Sequence, residues 1–206
     1  MQSIVLRGEH IRLAPLERSH IDDLVRACAA EPGFYQWSAV PLGREQVIAY
    51  IDKALASREA GTAFPFVTVR AHDGAVIGST RFFDIERWAW PENSPRYGRD
   101  FVDGCEIGYT WLTPSAIRTA ANTEAKLLML AHAFENWRAL RVCLHTDVRN
   151  KRSATAIERI GAKFEGILRS HRMATDGTAR DSMRYSILAA EWPEVKSKLS
   201  ERLSRV

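Results

Sequence analysis

The order in which strand and helix patterns follow one another constrains the fold of this chain more than any other feature. In the second half, β-rich apolar runs alternate with amphipathic stretches of helical period and end in two consecutive strands. A β-α-β-α-β-β order predicts a mixed sheet with helices on both faces, of the α/β or α+β class. The predicted strands are residues 105–112, 141–147, 164–174 and 179–188, and the predicted helices are residues 126–137, 150–161 and 191–203.

The first half predicts antiparallel strands that extend the same sheet. Residues 4–16 alternate apolar and polar side chains, which is typical of a half-buried strand pair. Residues 64–70 and 76–85 form two further β-rich runs, and the Asp73-Gly74 pair between them indicates a hairpin turn.

Two helices and one ordered loop complete the predicted organisation. The first helix begins with Ser19 as its N-cap, and the second covers residues 44–58. Residues 88–103 are too irregular for a regular element and too apolar for a disordered tail, so we expect an ordered loop. The apolar residues of the second helix that we expect to face inward are Val47, Ile48, Ile51 and Leu55.

Length and charge limit the number of domains and the classes of partner that this chain can have. A chain of 206 residues with 46% hydrophobic side chains is long enough for one well-buried core, so we expect a single domain over residues 1–206. The formal net charge is +4, but 29 basic residues are spread among 25 acidic ones without a polybasic run. This distribution favours an ordinary basic soluble protein over a nucleic-acid binder, and it suits a small anionic cofactor.

Cysteine spacing and hydropathy exclude other classes. The three cysteines lie far apart, without the spacing of a disulfide framework or a zinc site, so we expect no metal. No apolar run approaches the roughly 20 residues that cross a bilayer, and Arg7, Glu9 and Arg12 stand where a signal peptide needs apolar residues. We therefore expect a cytoplasmic protein without a membrane partner.

The junction between the strand at 105–112 and the next helix is a candidate anion site. A helix N-terminus presents free N–H groups and a partial positive charge, which together can bind a pyrophosphate. The small residues Ala120 and Ala121 allow close approach, and Arg118 adds a full charge. The alternative interpretation is a plain helix cap made by Thr119 or Asn122.

A second strand-to-helix junction carries a similar pattern. Asn150 can cap the following helix, and Ser153 places a hydroxyl at its third position. The alternative here is an ordinary cap beside a solvated basic pair, Lys151 and Arg152.

Taken together with residues 105–112, 154–162 and 164–169, these motifs resemble the GNAT superfamily of N-acetyltransferases, in its RimJ/RimL-like branch. The resemblance covers essentially the whole chain. It implies a mixed, mostly antiparallel, splayed sheet of about seven strands with helices on both faces. It also implies transfer of an acetyl group from acetyl-CoA to an amine by direct attack in a ternary complex.

The resemblance places the cofactor between the strand ending at Leu112 and the strand beginning at Arg141. The chain departs from the family's pyrophosphate loop at Ile117, Ala120 and Asn122, because Ile117 cannot donate a hydrogen bond and Ala120 replaces a glycine. We therefore expect weakened rather than abolished acetyl-CoA binding. The implied cofactor-binding residues are Trp111, Leu112, Thr113, Arg118, Thr119, Ala120, Ala121, Asn122, Asn150, Arg152 and Ser153.

Two residues are the candidates for proton transfer. Glu106 is the expected base, directly or through water, on the strand face opposite Cys105, Ile107, Tyr109 and Trp111. Ser153 matches the serine implicated as the acid in RimL-like enzymes. A salt-bridged glutamate and a first-turn serine are the alternatives. The tyrosine acid common in the family is replaced by Ile157, and a glutamate of the RimL-like enzymes is replaced by Arg172.

The acceptor is left open by the sequence. A protein N-terminus and a small-molecule amine are both compatible with the resemblance, and the loop at 88–103 precedes Glu106 in the chain. The alternatives are that the loop's aromatic residues pack the loop itself or a homodimer contact, and that the chain is a non-catalytic acyl-CoA-binding or partner-binding module. The candidate acceptor-binding residues are Trp88, Trp90, Tyr97, His171 and Tyr185.

Overall fold

A single eight-stranded sheet organises the protein. The computed structural model describes residues 4–29 and 34–205. The strand order is β1-β2-β3-β4-β5-β6-β8-β7, and every neighbouring pair is antiparallel except β5 and β6, which are parallel. The strands are β1 (Leu6–Arg7), β2 (Ile11–Pro15), β3 (Ala63–Arg70), β4 (Val76–Glu86), β5 (Gly104–Leu112), β6 (Arg141–Asp147), β7 (Lys163–Met173) and β8 (Ala179–Leu188).

Five α-helices cover the two faces of the sheet. Two of them pack with β3 and Trp111 around Val67 and Val69 on one face, and three pack on the larger core of the other face. The helices are α1 (Ile21–Cys28), α2 (Gly43–Glu59), α3 (Ala120–Ala131), α4 (Lys151–Arg159) and α5 (Trp192–Leu203). The predicted fold class, with helices on both faces of a mostly antiparallel sheet, is confirmed.

Two local predictions were wrong. Ser19 lies within a short 3-10 turn, so His20 precedes α1 instead. Helix α3 begins at Ala120 after the N-cap Thr119, as predicted for this junction, and so extends the amphipathic stretch predicted from Lys126 by six residues. Ile48 is only half-buried, and Ala54 takes the inward position with Val47 and Ile51.

Strands β5 and β6 part soon after they begin. Their register pairs are Gly104 with Arg141, Cys105 with Val142 and Glu106 with Cys143, and the pairing ends there. Beyond Glu106, β5 continues with β4 on its other side, and β6 continues with β8. The backbone edges that face each other across this gap therefore lack strand partners along the rest of both strands.

A bulge in β5 changes which side chains share a face. Tyr109 has a positive φ of 50°, and the register with β4 shifts between Ser79 and Arg81. Because a bulge adds one residue to one strand, the alternation of side chains inverts beyond it. Cys105 and Ile107 lie in the core under α3, whereas Trp111 lies in the core under α1 and α2. The prediction that Trp111 and Tyr109 face away from Glu106 was therefore wrong, since Tyr109 packs against Phe83, the register partner of Glu106.

Candidate active site

Glu106 lies at the point where β5 and β6 part. Its side chain is 7% exposed, and Oε2 lies 3.0 Å from a guanidinium nitrogen of Arg172 and 2.9 Å from Nδ1 of His145. The same Arg172 nitrogen also contacts Asp84 at 3.1 Å. Glu106 is thus a buried carboxylate held between a cation and an imidazole.

Two histidine rings stand beside this carboxylate. His145 on β6 and His171 on β7 lie 4.9 Å apart between ring centroids. Although Nδ1 lies 2.9 Å from Glu106 Oε2, both ring nitrogens of His145 are buried without a hydrogen-bond partner among the described residues. Burial, helped by Arg172, lowers the pKa of His171, so that ring is neutral near pH 7.

The sequence indicated His171 for this region but missed His145. Strand β6 alternates Val142 and Leu144 toward the core with Cys143 and His145 on the other face, the face that carries Glu106. That alternation, next to the predicted gap, was the available signal.

An arginine between two tyrosines lies on the same face. Arg81 on β4 is 4% exposed, and its guanidinium carbon lies 4.9 Å from the ring centroid of Tyr50 and 4.0 Å from that of Tyr109. Tyr109 also packs edge-on against Phe83, the register partner of Glu106. The bulge brings Tyr109 to this side, and no local pattern in the sequence indicates it.

The start of α3 has the form predicted for an anion site. Thr119 is its N-cap, and its hydroxyl oxygen accepts from the N–H of Ala121 at 3.2 Å, so Thr119 rather than Asn122 makes the cap. Ala120 and Ala121 are buried, whereas Arg118 is exposed and has a φ of 63°. A cleft of about 340 Å³ is lined in part by Thr119, Ala120 and Ala121.

The end of β5 is fixed just before this helix. The hydroxyl of Tyr35 donates to the carbonyl oxygen of Leu112 at 3.0 Å, and the N–H of Thr113 donates to the carbonyl of Ile77 at 2.8 Å. Burial raises the pKa of Tyr35 to about 12, so its hydroxyl remains a donor. The backbone of Trp111, Leu112 and Thr113 is therefore held in place beside the gap.

The second helix start has the predicted cap. The side-chain oxygen of Asn150 accepts from the N–H of Ser153 at 3.0 Å, and Asn150 is buried. Ser153 is half-buried, and the guanidinium of Arg152 lies 5.3 Å from the ring centroid of Phe34. Gly161 ends the helix region with a φ of 93°, as the predicted stop requires.

The loop between β4 and β5 folds around one buried carboxylate. Asp103, 2% exposed, accepts from the Trp88 N–H at 2.7 Å, from the Trp90 indole at 2.9 Å and from Arg96 Nε at 2.9 Å. Tyr97 is half exposed. Trp88 and Trp90 make their polar contacts within the loop and with Glu86, and none of these contacts reaches Glu106.

Tyr185 lies on the other side of the sheet. It is 1% exposed, belongs to the core under the helices α3 to α5, and donates its hydroxyl to Glu158 on α4 at 3.1 Å. This placement is that of a packed core residue, away from the Glu106 face.

The part of the chain that the structure describes contains neither a cluster of metal ligands nor a membrane-spanning helix. Across residues 4–29 and 34–205, histidine, cysteine and acidic side chains form no group of three suited to a metal ion. No helix of these ranges combines the length and the apolar character that crossing a bilayer requires.

Comparisons with known proteins agree with this architecture. A family model described as an acetyltransferase (GNAT) domain matches residues 10–163. No curated protein matches the chain. A GCN5-related N-acetyltransferase from Brucella melitensis is 26% identical over 98% of this chain and 86% of its own, with a TM-score of 0.83. An inferred acetyltransferase from T. thermophilus is 32% identical over 98% of this chain and 100% of its own, with a TM-score of 0.78.

The solved structures that share the fold include a protein with a bound CoA derivative. Mycobacterium smegmatis RimJ, in complex with CoA-disulfide, is 20% identical over 97% of this chain and 93% of its own, with a TM-score of 0.75. Since the family model covers about three quarters of the sequence and the splayed sheet agrees with it, this chain belongs to the GNAT family of acetyltransferases.

Proposed function

We propose that this protein transfers an acetyl group from acetyl-CoA to the primary amine of a protein N-terminus or of a small molecule. The observation that carries the proposal is the position of Glu106. It is a buried carboxylate at the last register pair before β5 and β6 part, where the resemblance to the family puts the reacting thioester.

The residues around the gap suit acetyl-CoA. Beyond Glu106 the edge of β5 that faces the gap has no strand partner, and two helix starts, at Thr119 and Asn150, supply N–H donors for phosphate oxygens. Arg118 and Arg152 add positive charge. When bound, acetyl-CoA supplies an acetyl thioester and a thiol leaving group.

The chemistry requires one proton to leave the amine and one to reach the sulfur. The amine nitrogen forms the new C–N bond while the C–S bond breaks, and the amine proton passes to the Glu106–His145 pair. The hydroxyl of Ser153 gives its proton to the departing thiolate and regains one from solvent, and the Glu106–His145 pair releases its proton to solvent. The only products are the amide and CoA.

Release of free CoA thiol across a panel of primary amines tests this function. We expect Glu106→Gln to lower kcat by about 100-fold or more while the Kd for acetyl-CoA stays within about two-fold, because the carboxylate serves proton transfer and not cofactor binding. Glu165→Gln is the control, since Glu165 is a glutamate on the neighbouring part of the sheet, in β7, whose side chain is 32% exposed and already paired with Arg141 and Arg184.

Two outcomes separate the alternatives. A fully active Glu106→Gln enzyme with a confirmed acceptor shows that the base assignment is wrong. Acetyl-CoA binding without thiol release from any amine favours the non-catalytic acyl-CoA-binding module instead.

A further inference from the structure

Two arginines on the Glu106 face have no carboxylate partner in residues 4–29 and 34–205. Arg81 is 4% exposed between its two tyrosine rings, and its Nε is buried without a hydrogen-bond partner. Arg180 on β8 is half-buried, and its Nε is likewise buried and unpartnered. Arginine remains protonated in proteins, so both positions carry a positive charge.

Arg180 also faces a second cation. It is the register partner of Arg172 across β7 and β8, and like charges directly opposite in a sheet repel. Arg172 is compensated by Glu106 and Asp84, but Arg180 is not. Burial lowers the pKa of Arg180, and Arg172 lowers it further, while Asp147 and Glu106 act in the opposite direction.

The nearby carboxylates are already used. Asp147, 2% exposed, pairs with Arg149 at 2.8 Å, and both Glu106 and Asp84 are bound by Arg172. Asp181 accepts from the N–H of Ser170 at 2.8 Å. Neither Arg81 nor Arg180 therefore has a carboxylate of its own among the described residues, and a buried charge without a partner is costly to the fold.

We infer that the acceptor amine carries an anionic group, a carboxylate or a phosphate, which binds at Arg180, while Arg81 between its two tyrosine rings adds positive charge to the same face. The inference rests on the proposed function, since it places the acceptor on the Glu106 face. A guanidinium presents a planar fork of donors that matches either group with two hydrogen bonds. The face is open at Tyr109, which is 41% exposed beside Arg81.

Matched pairs of amines test the inference by binding and by turnover. The pairs are phosphoethanolamine with ethanolamine, and 3-aminopropanoate with 3-aminopropanamide, titrated calorimetrically into CoA-saturated protein. We expect the anionic member of at least one pair to bind 10-fold or more tighter than its neutral partner. Arg180→Gln should reduce that ratio to within about two-fold. The preferred pair identifies the anion as phosphate or carboxylate.

Arg184→Gln is the control, because Arg184 lies on the same strand but already pairs with Glu165. It should keep the preference. Equal binding of both members of every pair, or a preference that survives Arg180→Gln, overturns the inference. Thiol release, measured separately, decides the proposed function. An Arg180-dependent preference without turnover supports the anion site and refutes the proposed transferase. Turnover without the preference supports the transferase and refutes the anion site.

Discussion

At the scale of single residues, the Glu106 carboxylate contacts two neighbours. Arg172 and His145 both contact Oε2, and the charge of Arg172 compensates the carboxylate before any acceptor arrives. The second nitrogen of His145 is buried and free of partners among the described residues, which leaves it available to accept a proton. The acid–base function proposed for Glu106 therefore belongs to the pair.

His145→Gln should lower kcat by about 10- to 100-fold, because the neutral amide cannot take up a proton. The double variant with Glu106→Gln should be no slower than the slower single variant, since groups that act as one unit are non-additive. Steady-state kinetics with saturating acetyl-CoA measures both effects. Independent, multiplying losses would show that the two residues act separately.

Lys126 is a buried amine without a carboxylate partner in the described part of the chain. It is 5% exposed under β5, and its Nζ donates to Thr110 Oγ1 at 2.7 Å. Burial lowers the pKa of this lysine to about 7. In the unfolded chain the pKa is about 10.4, so between these values the unfolded state binds one proton more.

It follows that the stability of the wild type rises with pH from about 7 to 10, by at most about 1.4 kcal/mol per pH unit from this group. Lys126→Met removes the buried charge, so it should be more stable than the wild type at pH 7 and below. That advantage should shrink as the pH approaches 10. Urea unfolding at several pH values measures the difference, with the exposed Lys53→Met as control. An advantage that does not change with pH would falsify the burial argument.

At the scale of elements, a carboxylate joins α3 to the first hairpin. Glu124, 5% exposed, accepts from the backbone N–H groups of Glu9, His10 and Ile11 at 2.8, 2.9 and 2.7 Å. Gly8 gives it room, because a Cβ at this position would lie 2.3 Å from Glu124 Cδ. The hairpin and the start of α3, where the phosphate site is proposed, are thus one unit.

Glu124→Ala leaves three donors without their acceptor, which costs about 1 kcal/mol or more each. We expect the Tm to fall by roughly 6–12 °C, using about 2–4 °C per kcal/mol for a chain of this size. Differential scanning calorimetry checks this. The exposed Glu194→Ala, which breaks only a surface pair with Lys198, should change the Tm by less than about 2 °C. A similar fall in Tm for both variants would contradict the proposed role of Glu124 in joining α3 to the first hairpin.

The sequence predicted elements better than contacts. Strong periodicity and the turns at Gly74 and Gly177 indicated nearly every strand, since such signals are local. The bulge was not predictable, because a bulky residue such as Tyr109 seldom adopts a positive φ and provides no turn signal. The contact of Arg172 with Glu106 was not predictable either. It joins residues 66 positions apart in the chain and depends on where β7 lies relative to the gap between β5 and β6.

At the scale of the whole molecule, the gap divides the sheet into two parts. Strands β1 to β5 lie on one side and β6 to β8 on the other, and only three register pairs join them directly. A ligand that pairs with both free backbone edges would link the parts, and at 100 times its Kd it would stabilise the protein by about 2.7 kcal/mol.

Hydrogen exchange with and without CoA tests this arrangement. CoA should slow exchange at residues 109–112 and 144–147 on the two sides of the gap as well as at 119–122 at the start of α3. Adenosine 3′,5′-bisphosphate, which lacks the pantetheine arm, should protect residues 119–122 but not the strands. Residues 66–69 of β3, paired on both sides, serve as the internal reference. If full CoA protects residues 119–122 alone, the arm does not enter the gap, and the position proposed for Glu106 beside the thioester fails with it.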